Sequence, residues 1–244
     1  MEIELMKYED KVLLELRVWQ RKMTKNPSII GRLTKGIQVK TNKLIPEKVH
    51  DVITKSIKNM VRAVLIGSEY TTKRRLTIKG LSLEERENQV REKLSFYKKT
   101  AAAEGAGTGA GGIFLGLADF PLLLSIKMKF LFDTASIYGF DVRDYRERLY
   151  ILHLFQLAFS SERKRSEIYW QIYNWEDTVK AFPANLEAID WRAFQQEYRD
   201  YIDLAKLFQM IPGIGAIVGA YANFQLLDKL GETAMNGYRL RLMR

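Results

Sequence analysis

Apolar residues recur at spacings of three and four along almost the whole chain. No segment keeps the two-residue alternation of a strand. Over residues 8–23 the pattern is carried by Val12, Leu16, Trp19 and Met23. A second helix is expected from about Ile29, after Pro27-Ser28. The third is better punctuated, with Pro46 suited to a first turn and Gly67 to a stop. At about 100° per residue, Val49, Ile53, Ile57, Met60 and Val64 share one face of it. Lys48, Lys55, Lys58 and Arg62 share the opposite face, the pattern of a helix that packs on a core or lies on anionic lipid. Residues 69–80, with Lys73-Arg74-Arg75, read as a loop or short hairpin. Ser82-Leu83-Glu84-Glu85 is a capping box opening a helix through Val90, Leu94 and Tyr97 toward Ala103.

Two apolar stretches interrupt this amphipathic pattern. Residues 105–118 are 14 uncharged positions, and residues 120–126 add seven. Neither reaches the roughly 18–20 residues of a simple spanning helix. Residues 207–227 are 21 without charge, long enough to insert, but they contain Gln209, Pro212, Asn223 and Gln225. Both stretches carry small residues four apart: Gly105 and Gly109, Gly107 and Gly111, Gly112 and Gly116, then Gly215, Gly219 and Asn223. Such a face lets two backbones approach closely. A helical glycine costs up to about 1 kcal/mol against alanine, so a compensating contact is expected. The two stretches are therefore expected to pack on each other, with a loop over 104–112 as the alternative. Asp119 is read as the N-cap of a helix beginning Phe120-Pro121. Its rival reading is a polar functional residue at a helix break, facing Asn223 or a basic partner.

Gly139 is expected to end that helix. Residues 141–161 form an amphipathic helix with Tyr145, Leu149, Leu152, Phe155 and Phe159 inward. A polar run, Glu162-Arg163-Lys164-Arg165, precedes the aromatics Tyr169, Trp170, Tyr173 and Trp175, expected to be core with partial exposure. Asp190 caps a helix through Phe194, Tyr198, Tyr201 and Leu204, and Tyr238 to Arg244 reads as a short basic tail. The chain is thus all-α. It is expected to be one multi-helix bundle of about seven to nine helices over residues 1–244, with the two Gly-rich apolar helices packed centrally.

Composition narrows the chemistry. The 244 residues contain no cysteine and two histidines. Disulfides, Cys-ligated metals and thiol catalysis are excluded, and a His-based metal site or triad is poorly supplied. The net charge of +10 has one source: residues 25–79 hold thirteen basic and three acidic side chains, while the rest balances. Such a stretch attracts nucleic acid, an anionic membrane or an acidic protein. The N-terminus lacks the basic and apolar regions of a secretory signal.

Gly107 to Gly112 matches G-x-G-x-x-G, but a helix precedes it and no strand does, so a dinucleotide site is not expected. His153 falls on a core face and is read as a satisfied buried histidine. Glu84, Glu85 and Glu87 suit a helix N-terminus. No constellation supports a named reaction, a cofactor or a metal.

The run Gly109-Ala110-Gly111-Gly112, then Leu117-Ala118-Asp119-Phe120-Pro121-Leu122-Leu123, then Ala135 to Tyr138-Gly139 and Asp141, resembles the EcsC family. The later run Ile211-Pro212-Gly213-Ile214-Gly215, continuing through Gly219 to Asn223, resembles that family's C-terminal signature. The resemblance covers residues 85–244 clearly and the basic 25–79 subregion less so. It implies a bacterial protein encoded beside the ATPase and membrane subunits of an ABC transporter, linked to secretion, membrane-protein processing and competence, with no established catalytic activity. Gly109, Gly112, Gly116, Asp119, Pro121, Tyr138, Gly139, Pro212, Gly215, Gly219 and Asn223 carry the pattern.

The expectation is a non-enzymatic accessory protein, cytoplasmic and peripheral at the inner membrane face. ABC-transporter subunits and an anionic lipid surface are its expected partners. Lys48, Lys55, Lys58, Arg62, Lys73, Arg74 and Arg75 would supply the attraction. The alternatives are nucleic-acid binding through the same basic stretch, an enzyme using Asp119, and integral insertion of 207–227.

Overall fold

A computed structural model describes residues 7–25, 47–66, 80–109, 112–183, 202 and 216–243. Among them the fold is all-α. In chain order the helices are α1 (Tyr8–Thr24), α2 (Glu47–Ile66), α3 (Leu83–Gly109), α4 (Gly112–Tyr138), α5 (Tyr145–Phe159), α6 (Glu162–Tyr173), α7 (Trp175–Thr178) and α8 (Ala216–Leu242). A 3-10 turn, Val179–Ala181, follows α7. The helix expected near Ile29 and the loop with Lys73, Arg74 and Arg75 lie outside the described residues, as do Pro212 and Gly215.

Three helices of 27 residues, α3, α4 and α8, form the frame. At about 1.5 Å per residue each is about 40 Å long. The capping box opens α3 as expected. The Glu85 amide donates to Ser82 Oγ at 3.2 Å, and the Ser82 amide donates to Glu85 Oε2 at 2.8 Å. Two donors that helix geometry leaves without partners are thereby satisfied. α3 runs on to Gly109, past the expected end, and α4 begins at Gly112, so a loop over 104–112 is overturned.

α4 ends where expected. Gly139 adopts φ +97°, its amide donates to Ser136 O, and the Phe140 amide donates to Ala135 O at 3.0 Å. This reciprocal pair closes the last turn and needs a residue tolerant of the left-handed region.

The start of α4 differs from the expectation. Asp119 and Pro121 both lie inside the helix, so Asp119 is not an N-cap and the expected break is absent. Pro121 removes one amide donor from the helix, and its own side chain is exposed.

α8 packs antiparallel to α3: Lys98 pairs with Asp228 at one level and Glu87 with Arg239 at another. α4 runs parallel to α8 and touches it at Lys127 and Asn223, then at the Tyr138 and Tyr238 rings, stacked at 5.2 Å. The helices bearing the two apolar stretches therefore meet, although α8 lies more extensively on α3. Close approach occurs at glycines outside the four-residue series. A Cβ on Gly231 would sit 2.7 Å from Leu94 Cδ2, and one on Gly237 would strike Leu154 Cδ2.

α5 is not amphipathic: residues 149–160 are all buried, because α2, α4, α6 and α8 surround it. The polar run at 162–165 forms the first turn of α6. Residues 238–242, read as a tail, are the last turns of α8. Ile202, inside the helix expected from Asp190, instead forms an isolated antiparallel bridge with Ser160. The rest of that segment is outside the described residues. Among the described residues, no helix is long and apolar enough to cross a membrane. Residues 216–227 continue into a helix carrying Asp228, Lys229 and Glu232, which weighs against insertion of 207–227.

Gly237→Val is expected to destabilise the fold by about 1–3 kcal/mol, because Leu154 is fully buried and has nowhere to move. A urea midpoint equal to that of the parent protein would show that the helices are further apart than described.

Candidate functional site

Four polar features of the helical frame are candidates for function. The first is the outer face of α2. Ile53, Ile57, Met60 and Val64 are buried, and Lys55, Lys58 and Arg62 are exposed, as the helical period requires. Lys48 belongs to α2, but its side chain lies outside the described residues.

A second feature was not foreseen. Glu87 of α3 is fully buried and accepts from four side chains. Arg239 grips it twice, Nε to Oε1 at 2.7 Å and Nη2 to Oε2 at 2.6 Å. Tyr8 donates to Oε2 at 2.6 Å, Arg91 to Oε2 at 3.1 Å, and Tyr138 to Oε1 at 3.2 Å. Arg239 Nη1 also donates to Glu15 and Asn236. Burial alone pushes Glu87 up, but Arg239 and Tyr8 outweigh it and hold the carboxyl below the usual range. The early turns of α3 and the last turn of α8 bring opposite helix-dipole ends to the same level, which favours an acid on one and a base on the other.

A smaller cluster adjoins it. Glu147 of α5 accepts from Tyr238 at 2.7 Å and from Arg241 at 2.5 Å. Burial raises Glu147 even with these donors present. The stacked Tyr138 and Tyr238 rings join the two clusters. Above the first cluster, α1, α3 and α8 border an open groove of about 930 Å³ whose walls include Tyr8, Trp19, Arg91, Met235 and Arg239. Both oxygens of Glu87 and all three nitrogens of Arg239 are engaged, so the cluster holds helices together and leaves no free base.

The third feature is Lys127, fully buried on α4, whose Nζ donates to Asn223 Oδ1 at 3.0 Å. Burial lowers its amine to about 7. Its neighbours three and four positions away, Leu123, Leu124, Phe130 and Leu131, are all apolar, whereas those of the exposed Lys129 include Ser125 and Asp133.

The fourth is Asp119, half-buried on α4, whose Oδ2 is buried without a hydrogen-bond partner among the described residues. The groove does not include it. Asn223, its expected partner, instead accepts from Lys127. Tyr138 and Gly139 serve the first cluster and the helix stop, respectively. Gly109, Gly112, Gly116 and Gly219 fall in α3, α4 and α8, but what they pack against lies outside the described residues.

His153 is buried, with Nδ1 bonded to Leu149 O at 2.8 Å and its ring against Trp175 and Phe182. Burial lowers it to about 4, although the Leu149 bond opposes this. Tyr169 and Trp175 are buried, Tyr173 is half-buried and Trp170 is exposed, so two of the four aromatics cannot reach a nucleic-acid base. Among the described residues, no three His, Asp or Glu are grouped to hold a metal ion.

Arg239→Met is expected to cost about 3–5 kcal/mol, because it removes the two-point partner of the buried Glu87 and leaves only the longer Arg91 contact and two tyrosines. The double variant Glu87→Leu with Arg239→Met should recover most of that loss in chemical denaturation. Equal losses in single and double variants would contradict this coupling. His153 predicts a separate acid effect. Its neutral ring contributes fully above about 6.5, and that contribution is lost as pH falls toward about 4, a change of about 3 kcal/mol. His153→Gln should remove that component, and an unchanged acid profile would contradict it.

The model of the EcsC protein family matches residues 10–243. The chain is 50% identical over 233 residues to "Protein EcsC" of Bacillus subtilis (strain 168), covering 96% of this chain and 95% of that protein. It is 30% identical over 220 residues to "Uncharacterized protein YdbA" of the same organism, covering 82% of this chain and 80% of that one. No solved structure matches. A match across nearly the whole chain settles the classification: this protein belongs to the EcsC family.

Proposed function

We propose that this chain is a non-enzymatic accessory protein that docks on the inner face of the cytoplasmic membrane, beside the subunits of an ABC transporter. The observation that supports it is the orientation of α2. Its apolar side is spent on the core, and Lys55, Lys58 and Arg62 are left facing outward. They belong to the one stretch that supplies the whole net charge. Lys73, Arg74 and Arg75 add three cations to the same stretch. Near an anionic surface each cation contributes on the order of 1 kcal/mol, and salt screens the attraction. The interaction is peripheral: cations hold the headgroup layer while the helical frame stays folded. The transporter follows from what the family resemblance implies about gene neighbourhood. A docking role also suits the buried clusters, whose acids and bases are committed to one another.

Flotation with phosphatidylglycerol and phosphatidylcholine vesicles tests the lipid contact. Binding is expected to the anionic vesicles at low salt and to fall as salt rises. The triple variant Lys55→Glu, Lys58→Glu, Arg62→Glu should lose about 100-fold or more in affinity while keeping its thermal midpoint. Equal binding to both vesicle types, or binding to neither, would overturn the proposal.

A further inference from the structure

The two ends of the three-helix frame are closed by different chemistry. At one end, Glu87, Arg239, Glu147 and Arg241 bind α3, α5 and α8 through opposite charges. At the other, Lys127 reaches from α4 to Asn223 on α8. Lysine is rarely fully buried unless a carboxylate or comparable partner balances its charge, and here the partner is a neutral amide.

Neighbouring carboxylates are engaged elsewhere. Asp133 on α4 takes Tyr97 and Lys93, Asp228 on α8 takes Lys98, and Glu147 on α5 takes Arg241. On α2, Lys55, Lys58 and Arg62 face outward, and His153 of α5 is bonded to a backbone carbonyl. Asp119 stands eight residues earlier on α4, about 12 Å along the axis. Among the described residues, burial alone acts on the Lys127 amine.

We infer that the Lys127–Asn223 contact is a proton-operated clasp: it holds the middle of α4 against the N-terminal half of α8 while the amine is neutral and releases them when the amine is protonated. The neutral amine donates to Asn223 without demanding a counter-charge. Among the described residues the protonated amine has no carboxylate to meet, and it is stable only where water can reach it. A lysine in water titrates near 10.5, and the enclosed one near 7. Between those values the closed state holds one proton fewer than the open state. Closure therefore strengthens as pH rises through this window and is weakest at and below about 7. Each unit of falling pH favours the open state about tenfold. The opening is local, because the charged end has its own bonds.

Hydrogen exchange on the full chain reads this directly. Amides covering 120–130 and 223–230 should open about tenfold more per unit as pH falls from about 9 to 7.5, after correction for intrinsic exchange. Amides near Glu87 and Arg239 should not follow. Lys127→Met, similar in length and without an amine, should abolish the slope. A flat profile in the parent protein, or an unchanged slope in Lys127→Met, overturns the clasp. An NMR titration of the Lys127 amine in the unaltered protein decides the matter if that variant does not fold. A midpoint near 7 supports the clasp, and one near 10.5 overturns it.

Discussion

Glu87 and Arg239 are 152 residues apart in the chain and meet in the interior through two short parallel hydrogen bonds. Taking both charges out of water carries a penalty of several kcal/mol per ion, offset only when geometry and auxiliary donors are good. The auxiliary donors are the rest of the fold. Tyr8 brings α1, Arg91 a second turn of α3, and Tyr138 the last residue of α4. Each helix that arrives completes the solvation of one carboxylate. In this sense the ion pair sets the register of α8 against α3, and the Tyr138 and Tyr238 stack passes that register to α5 through Glu147.

This arrangement gives the frame a polarity. Charge is concentrated where α3 begins and α8 ends, and the apolar, glycine-bearing segments occupy the opposite end. Antiparallel packing of α3 on α8 brings opposite dipole ends together, which suits a carboxylate on one and a guanidinium on the other. The cations of α2 belong to neither end. They project from its outer face, where water or a polyanion can meet them.

Local rules carried the sequence reading well. The capping box, the Gly139 stop and the two faces of α2 depend on neighbours within a turn or two, and all three are found. Long-range pairing was hidden. Arg239 and Arg241 read as a basic tail because their partners, Glu87 and Glu147, lie far back in the chain. α5 read as amphipathic because Glu147 and Arg148 mark a polar side, which α2 and α8 then cover. Asp119 and Pro121 suggested a helix start, yet an exposed proline is accommodated within α4. Gly231 is separated from the Gly215, Gly219 and Asn223 series by Leu227, and Gly237 lies off that spacing, so neither close approach is marked by a run of small residues. The cations of α2 are legible from periodicity, whereas Lys127, flanked on its own face by Leu123, Leu124, Phe130 and Leu131, finds its polar partner only on α8.

The late position of α8 has a consequence for biogenesis. Every other described helix precedes it, and it supplies the guanidinium groups for Glu87 and Glu147 and the amide for Lys127. A nascent chain lacking α8 therefore has Glu147 without its named donors, Glu87 without its two-point partner, Lys127 without its amide and α3 uncovered. Such a chain cannot reach the native core, so the decisive folding step waits until α8 has been made. Until then its apolar helices are natural clients for chaperones.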